Sequence, residues 1–292
     1  MSRIEILKTY KIFVGGQFTR TESGQFYPLK LKNNRIVNMC LSSRKDFKNA
    51  VLSASSAFSN WSLCSTLNRG LIIYRIAEIL EARKEQFILE LKQLGYSSAK
   101  ATREVEQSID RLVYYAGWCD KYQRLSGSTN SLSSSYFNIT VSEPLGVVGI
   151  LADENTGLLG LVSVIAPCIA GGNTCVVLAS HSKAITAITF AEVLATSDVP
   201  AGVINILTGS SQELRDHFAS HMQVSAIVVC SHEKEEKSSI VKQSSLNVKR
   251  LIYWVKDWSN EKEEGLSYIF DLQEIKTIWH SLEQIGVSGL SY

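Results

Sequence analysis

The chain has 292 residues, 45% of them apolar and 20% charged, and its 30 basic and 28 acidic side chains leave a net charge of +2. That length supports one large domain or two small ones around a sizeable core, with the composition of an ordinary soluble protein. The charges are spread along the chain, so no basic stripe points to nucleic acid. The opening MSRIEILKTYKIF lacks a signal-type apolar run, and no stretch of about 18 uncharged apolar residues reads as a membrane span. The six cysteines, Cys40, Cys64, Cys119, Cys168, Cys175 and Cys230, form no CxxC pair and have no His at metal-ligand spacing. They read as buried thiols of a reducing compartment, with a cytoplasmic address and no metal.

In chain order, residues 12–29 alternate as strands around Gly15-Gly16, a step that suits a tight hairpin because both positions tolerate positive φ. A helix starts at Ser43 or Asp46 and carries Phe47, Ala50, Val51, Ala54 and Phe58 on one face. The spacing predicts one long helix over 67–94, closed by Gly95, and another over 99–122 with Val105, Ile109, Leu112, Val113 and Ala116 inward. The Ser-rich stretch 125–135 reads as a loop, followed by a strand over 136–141. Continuous apolar runs at 146–151, 174–178, 203–207 and 226–230 then alternate with helical stretches at 158–170, 184–196 and 212–220. Strand and helix alternating at this spacing means βαβ units and a parallel sheet covered on both faces, a doubly wound α/β domain behind an N-terminal hairpin and helical segment. The carboxyl ends of such strands are ligand sites, yet no G-x-G-x-x-G or G-x-x-x-x-G-K-[ST] follows any of them.

Several segments carry a closer likeness: KIFVGGQF, AVLSASSAFSNW with RGLIIYRIAEILEARKEQF, YYAGWCDK, EPLGVVGIL, IAGGNTCVV and DVPAGVINILTGSSQEL. In order and spacing they resemble landmarks of the aldehyde dehydrogenases, strongly over about 1–230 and weakly over 231–292, and most like the degenerate C-terminal copy of the family-16 branch. The resemblance implies a Rossmann-like cofactor-binding domain over 1–250, bridging strands near 136–143, and a truncated start of the catalytic domain over 251–292. By that resemblance the cofactor is NAD or NADP.

The positions that matter depart from the family pattern. Where the resemblance expects a Pro-Trp-Asn-Phe-Pro turn with an oxyanion-donating Asn, the chain reads Asp153-Glu154-Asn155-Thr156-Gly157. Only Asn155 is retained, as an oxyanion donor or simply as a turn residue. Leu178 and His181 stand where the family's Lys and Glu hold ribose hydroxyls, and leucine offers no donor. Ser231 replaces a glycine before a pyrophosphate-facing helix whose first turn now carries Glu233, Glu235 and Glu236, charges that compete with an anion for the helix field. Trp254 occupies the general-base position, no cysteine follows Cys230, and Ser288 falls near the place expected for the nucleophile. The resemblance therefore implies a catalytically degenerate dehydrogenase-like chain acting in assembly or partner binding, with no cofactor expected. Two alternatives stay open: an NAD(P)-dependent aldehyde oxidoreductase completed by a partner chain, and a non-redox small-molecule binding module. With no strand expected to complete the bridging sheet, the 136–141 strand is expected to expose Tyr136, Phe137 and Ile139 on a bare edge. That edge implies self-association or binding to an aldehyde dehydrogenase subunit.

Overall fold

The structure, a computed structural model, describes residues 8–32, 34–133, 136–231 and 234–281. Its first hairpin joins β1 (Ile12–Val14) to β2 (Gln17–Thr19), and the turn between them holds Gly15 at φ 62° and Gly16 at φ 76°, where a side chain would be strained. A second hairpin, β3 (Phe26–Lys30) and β4 (Ile36–Cys40), extends beyond the strand signal read from the sequence. Helix α1 (Arg44–Leu63) opens on a capping box: the Ser43 side chain accepts from the Asp46 amide at 3.3 Å, and the Asp46 carboxylate accepts from the Ser43 amide at 2.8 Å.

The single helix expected over 67–94 is two, α2 (Thr66–Ala82) and α3 (Lys84–Gln93). The break falls at Arg83, whose guanidinium reaches Gln86 and Glu192. Likewise the helix expected over 99–122 stops as α4 (Ser98–Trp118), before the short α5 (Tyr122–Ser126). Val113, expected inward, is 42% exposed, because the buried stripe of α4 runs through Ala101, Glu104, Val105, Ser108, Arg111, Leu112 and Tyr115. The Ser-rich stretch contains the short strand β5 (Ser128–Asn130), and β6 (Tyr136–Pro144) follows.

The alternating segment then appears as read. Strand β7 (Val147–Leu151) leads to α6 (Leu159–Ala170), β8 (Thr174–Leu178) to α7 (Ala184–Leu194), and β9 (Ile204–Leu207) to α8 (Ser211–Ser220). Strand β10 (Val224–Val229) leads to α9 (Lys234–Ser244) and to β11 (Arg250–Tyr253), followed by α10 (Ser267–Phe270) and β12 (Gln273–Ser281). The sheet order is β11-β10-β7-β8-β9-β1-β2, parallel from β11 to β9, with the hairpin added antiparallel at one side. From β7 the chain winds one way through β8 and β9, then returns to build β10 and β11 on the other side. The β7/β10 boundary is thus the switch point of a doubly wound sheet. Its two faces bury different residues: Val147, Leu151, Val176 and Phe218 pack with α1 and α8, whereas Val148, Ile150, Val177 and Phe190 pack in the cluster that includes α4, α6 and α7.

The bare edge expected at 136–141 is not present. Strand β12 pairs antiparallel with β6 along its whole length, from Gln273 opposite Pro144 to Ser281 opposite Tyr136, and β5 covers Asn138–Thr140 from the other side. The sequence supplies its own third strand because Ile275, Thr277 and Trp279 alternate with Lys276, Ile278 and His280 at strand period. Between β11 and β12, Trp254, Trp258, Tyr268, Ile269 and Leu272 are buried in the same core cluster as α4 and α6, so the surface there is covered. Arg111 of α4 fixes this segment by donating to Ser163 Oγ at 2.7 Å and to the Trp258 carbonyl at 3.5 Å.

Candidate functional site

The carboxyl ends of β7 and β8, with the loop after β9, enclose a cleft of about 240 Å³. It brings together Leu178, His181 and Ser231, three positions singled out in the sequence, and adds Glu154, Gly209 and Arg215. Leu178 is buried against Leu151, Leu207 and Val229 and presents no polar atom to the cleft. The His181 ring stacks on Tyr27, centroids 4.1 Å apart, and its Nδ1 donates to the Gly209 carbonyl at 3.1 Å. Both contacts hold the ring in place from within the protein.

The turn after β7 decides the character of this cleft. Glu154 points its carboxylate across to the segment preceding α7 and accepts from Ser180 Oγ at 2.6 Å, the His181 amide at 2.6 Å and Ser182 Oγ at 2.8 Å. Lys183 Nζ donates to the Glu154 carbonyl. Burial would raise the Glu154 carboxyl, but these hydrogen bonds outweigh it and hold the group below the usual carboxylate range. A side chain of the chain itself therefore satisfies the polar groups at the start of α7.

The neighbouring residues of the turn are tied just as closely. Asn155 is exposed, and its side-chain amide donates to Asp153 Oδ1 at 2.8 Å. Asp153 is buried and also accepts from the Thr156 amide at 3.1 Å. Asn155 lies in a separate small cleft with Lys100, Arg103 and Asp257, away from Leu178 and His181. At the start of α6, Glu104 accepts from the amides of Gly157 and Leu158, both at 2.8 Å. That buried carboxylate escaped the sequence reading, although its signal was present: it shares the helical phase of Ala101, Val105 and Ser108.

Trp254 is buried, donates its indole N–H to Asp271 Oδ2 at 3.0 Å and stands edge-on to Tyr268. It lines a third cleft, between β11 and β12, rather than the one holding Leu178. Burial, with Asp153 nearby, pushes the Cys230 thiol far up, so it is held as a neutral thiol. Glu233 and Ser288 lie outside the described residues, as do the side chains of Glu235 and Glu236. Among the described residues, no group of three or more His, Cys, Asp or Glu could hold a metal ion, and no helix is long and apolar enough to cross a membrane.

Comparison with known proteins bears on the family and the fold. Mouse cytosolic 10-formyltetrahydrofolate dehydrogenase is 30% identical over 262 residues, covering 86% of this chain and 29% of the relative. Human mitochondrial 10-formyltetrahydrofolate dehydrogenase is 34% identical over 232 residues, covering 74% of this chain and 25% of the relative. The chain thus spans less than a third of the length of these relatives. The narrower likeness to the family-16 branch stays an expectation of the sequence. Among solved structures, HpcC from Thermus thermophilus superposes with a TM-score of 0.80 at 24% identity, covering 84% of this chain and 48% of that one. PnpE in complex with nicotinamide adenine dinucleotide gives 0.80 at 21% identity, with 84% and 50% coverage. At these identities the two structures speak to the fold alone. Residues 21–253 match the aldehyde dehydrogenase family, and the chain belongs to that family.

Proposed function

We propose that this chain is a catalytically degenerate member of its family, a cytoplasmic protein that acts in assembly or partner binding rather than in aldehyde oxidation. The observation that carries this reading is the Glu154 carboxylate, which occupies the donors of Ser180, His181 and Ser182 at the mouth of the cleft. The residues present do not fit a dinucleotide. Leu178 cannot hydrogen-bond a ribose hydroxyl, the His181 Nδ1 is committed to Gly209, and a fixed carboxylate repels a pyrophosphate. The general-base position holds Trp254, which cannot move a proton, and the buried Cys230 thiol is no nucleophile.

Titration calorimetry with NAD and with NADP at millimolar concentration tests the reading directly. The expected result is no saturable heat with either nucleotide, and no aldehyde oxidation or ester hydrolysis by the purified chain. Saturable binding together with turnover would instead favour an NAD(P)-dependent oxidoreductase. The activity named for the folate-linked relatives belongs to proteins of more than three times the matched length.

A further inference from the structure

Helix α2 is apolar on two faces. One buries Ile73, Ile76, Ala77 and Leu80 in the core. The other carries Leu67, Leu71 and Tyr74 one above the next at helical spacing, and all three are exposed, Leu67 to 64% and Leu71 to 59%. A helix held by its core side alone has no need of a second apolar stripe.

Beside this stripe runs a groove of about 310 Å³ between α2 and α4, with Val113, Ala116 and Gly117 on its far wall. Two glycines shape it, for different reasons. Gly70 lets the helices touch, since a Cβ there would lie 2.9 Å from the Ala116 carbonyl. Gly117 has no such reason: it stands exposed in the last turn of α4, and a Cβ on it would meet nothing within 4 Å. A glycine at a helical position weakens the helix relative to alanine, so the fold gains nothing from it. What Gly117 supplies is a recess in the surface. Protruding leucines and a recess thus lie side by side on one face, as an isologous contact requires.

We propose that this face packs on the same face of a second copy of this chain, α2 against α2, antiparallel about a two-fold axis between Gly70 and Leu71. Leu67 then faces Tyr74 of the second copy, and Leu71 of each copy sits over Gly70 and the recess at Gly117 of the other. Charge sets the direction. Helix α4 runs antiparallel to α2 with Ala116 beside Gly70, so Asp120 stands beside Thr66 at the end of the groove. The two-fold brings that Asp120 opposite Arg75 of the second copy, and Lys121 towards its Glu78. Within one copy Arg75 pairs with Glu78 at 3.0 Å and Lys121 with Asp120 at 3.5 Å, each side chain about half exposed, so all four can pair again across the contact. A parallel arrangement would instead set Arg75 against Arg75 and Asp120 against Asp120. With four apolar side chains from each copy the contact is small, of the class that exchanges between monomer and dimer. This deepens the assembly role proposed above by naming the partner and the face, and it rests on that reading.

Sedimentation velocity on the full chain, from about 1 to 200 µM, should show a monomer–dimer equilibrium with a Kd of about 10–100 µM. Gly117→Leu fills the recess and should weaken dimerisation at least about tenfold, while its urea midpoint stays level or rises because a helical glycine is gone. Arg75→Glu and Asp120→Arg each set like charges opposite one another and should each weaken it about fivefold. An equimolar mixture of these two variants restores both opposite-charge pairs and should dimerise as a heterodimer. A monomer throughout that range, a Gly117→Leu chain that dimerises undiminished, or a mixture no tighter than its components would overturn the proposal. A monomer that binds no nucleotide sinks the α2 contact alone. A dimer that Gly117→Leu disperses, but that binds NAD saturably, sinks the degenerate-domain reading and leaves the contact standing.

Discussion

At the scale of single residues, two carboxylates respond to pH in opposite directions. Glu154 is held below its ordinary range by Ser180, His181 and Ser182 against the effect of burial, so the folded state favours its ionised form. Its contribution is present at neutral pH and is lost as pH falls through the folded value. Thermal melts taken from pH 7 down to about 3 should therefore fall more steeply for the native chain than for Glu154→Gln, which keeps an acceptor but does not titrate. Glu90 behaves in reverse. Burial between α3 and α7 raises its carboxyl to about 7, more than the hydrogen bond from Thr189 at 2.8 Å and the charge of Lys8 lower it. The folded chain holds this proton more tightly than the unfolded chain, so stability declines as pH rises from the ordinary 4.5 to about 7. Glu90→Gln removes that decline: its melting temperature relative to the native chain should climb across this window and level off above it.

At the scale of elements, the N-terminus of α6 depends on a residue from another helix. Glu104→Ala would leave the buried amides of Gly157 and Leu158 without a partner, at a cost of about 2–3 kcal/mol. Glu104→Gln, which keeps an acceptor and loses only the charge facing the helix dipole, should cost about 1 kcal/mol. Urea midpoints with an unchanged m-value check both. Elements of this kind differ in how openly the sequence announces them. Ser43 and Asp46 mark the start of α1 because their side chains make the cap themselves, and Gly15-Gly16 marks its turn because only glycine fits it cheaply. The buried runs of β7 to β10 were legible because nothing polar interrupts them. The break at Arg83 was not, since neither glycine nor proline stands there and Arg83 is set by Gln86 and Glu192, the latter far along the chain. The site divides in the same way. The motifs singled out Leu178, His181 and Ser231, which the fold brings to one cleft, but that Glu154 would tie down the segment before α7 depends on two loops meeting in space. Strand β12 escaped notice because residues 251–292 were read against a family pattern that their alternation does not follow.

For the molecule as a whole, the segment from Trp254 to Leu272 is part of the core rather than an appendage. Trp258 is 1% exposed and packs against Tyr268, and Trp258→Ala should cost about 3–5 kcal/mol, read as a lowered denaturation midpoint. Ending the chain at Tyr253 would uncover α4, α6 and β6 at once, and should yield a species that binds hydrophobic dyes and aggregates. The other end of the molecule closes the sheet in a different manner. The β1–β2 hairpin is completed by β9, with the Gly15 amide donating to Asn205 Oδ1 across 190 residues of chain. An isolated hairpin of this size is marginal in water. During synthesis at about 5–20 residues per second, it must therefore wait roughly 10–40 s after leaving the ribosome before its docking strand exists. For that interval Ile12 and Phe13, buried in the finished protein, stand exposed on the nascent chain, which makes β1, the earliest of the described strands, among the last to find its place.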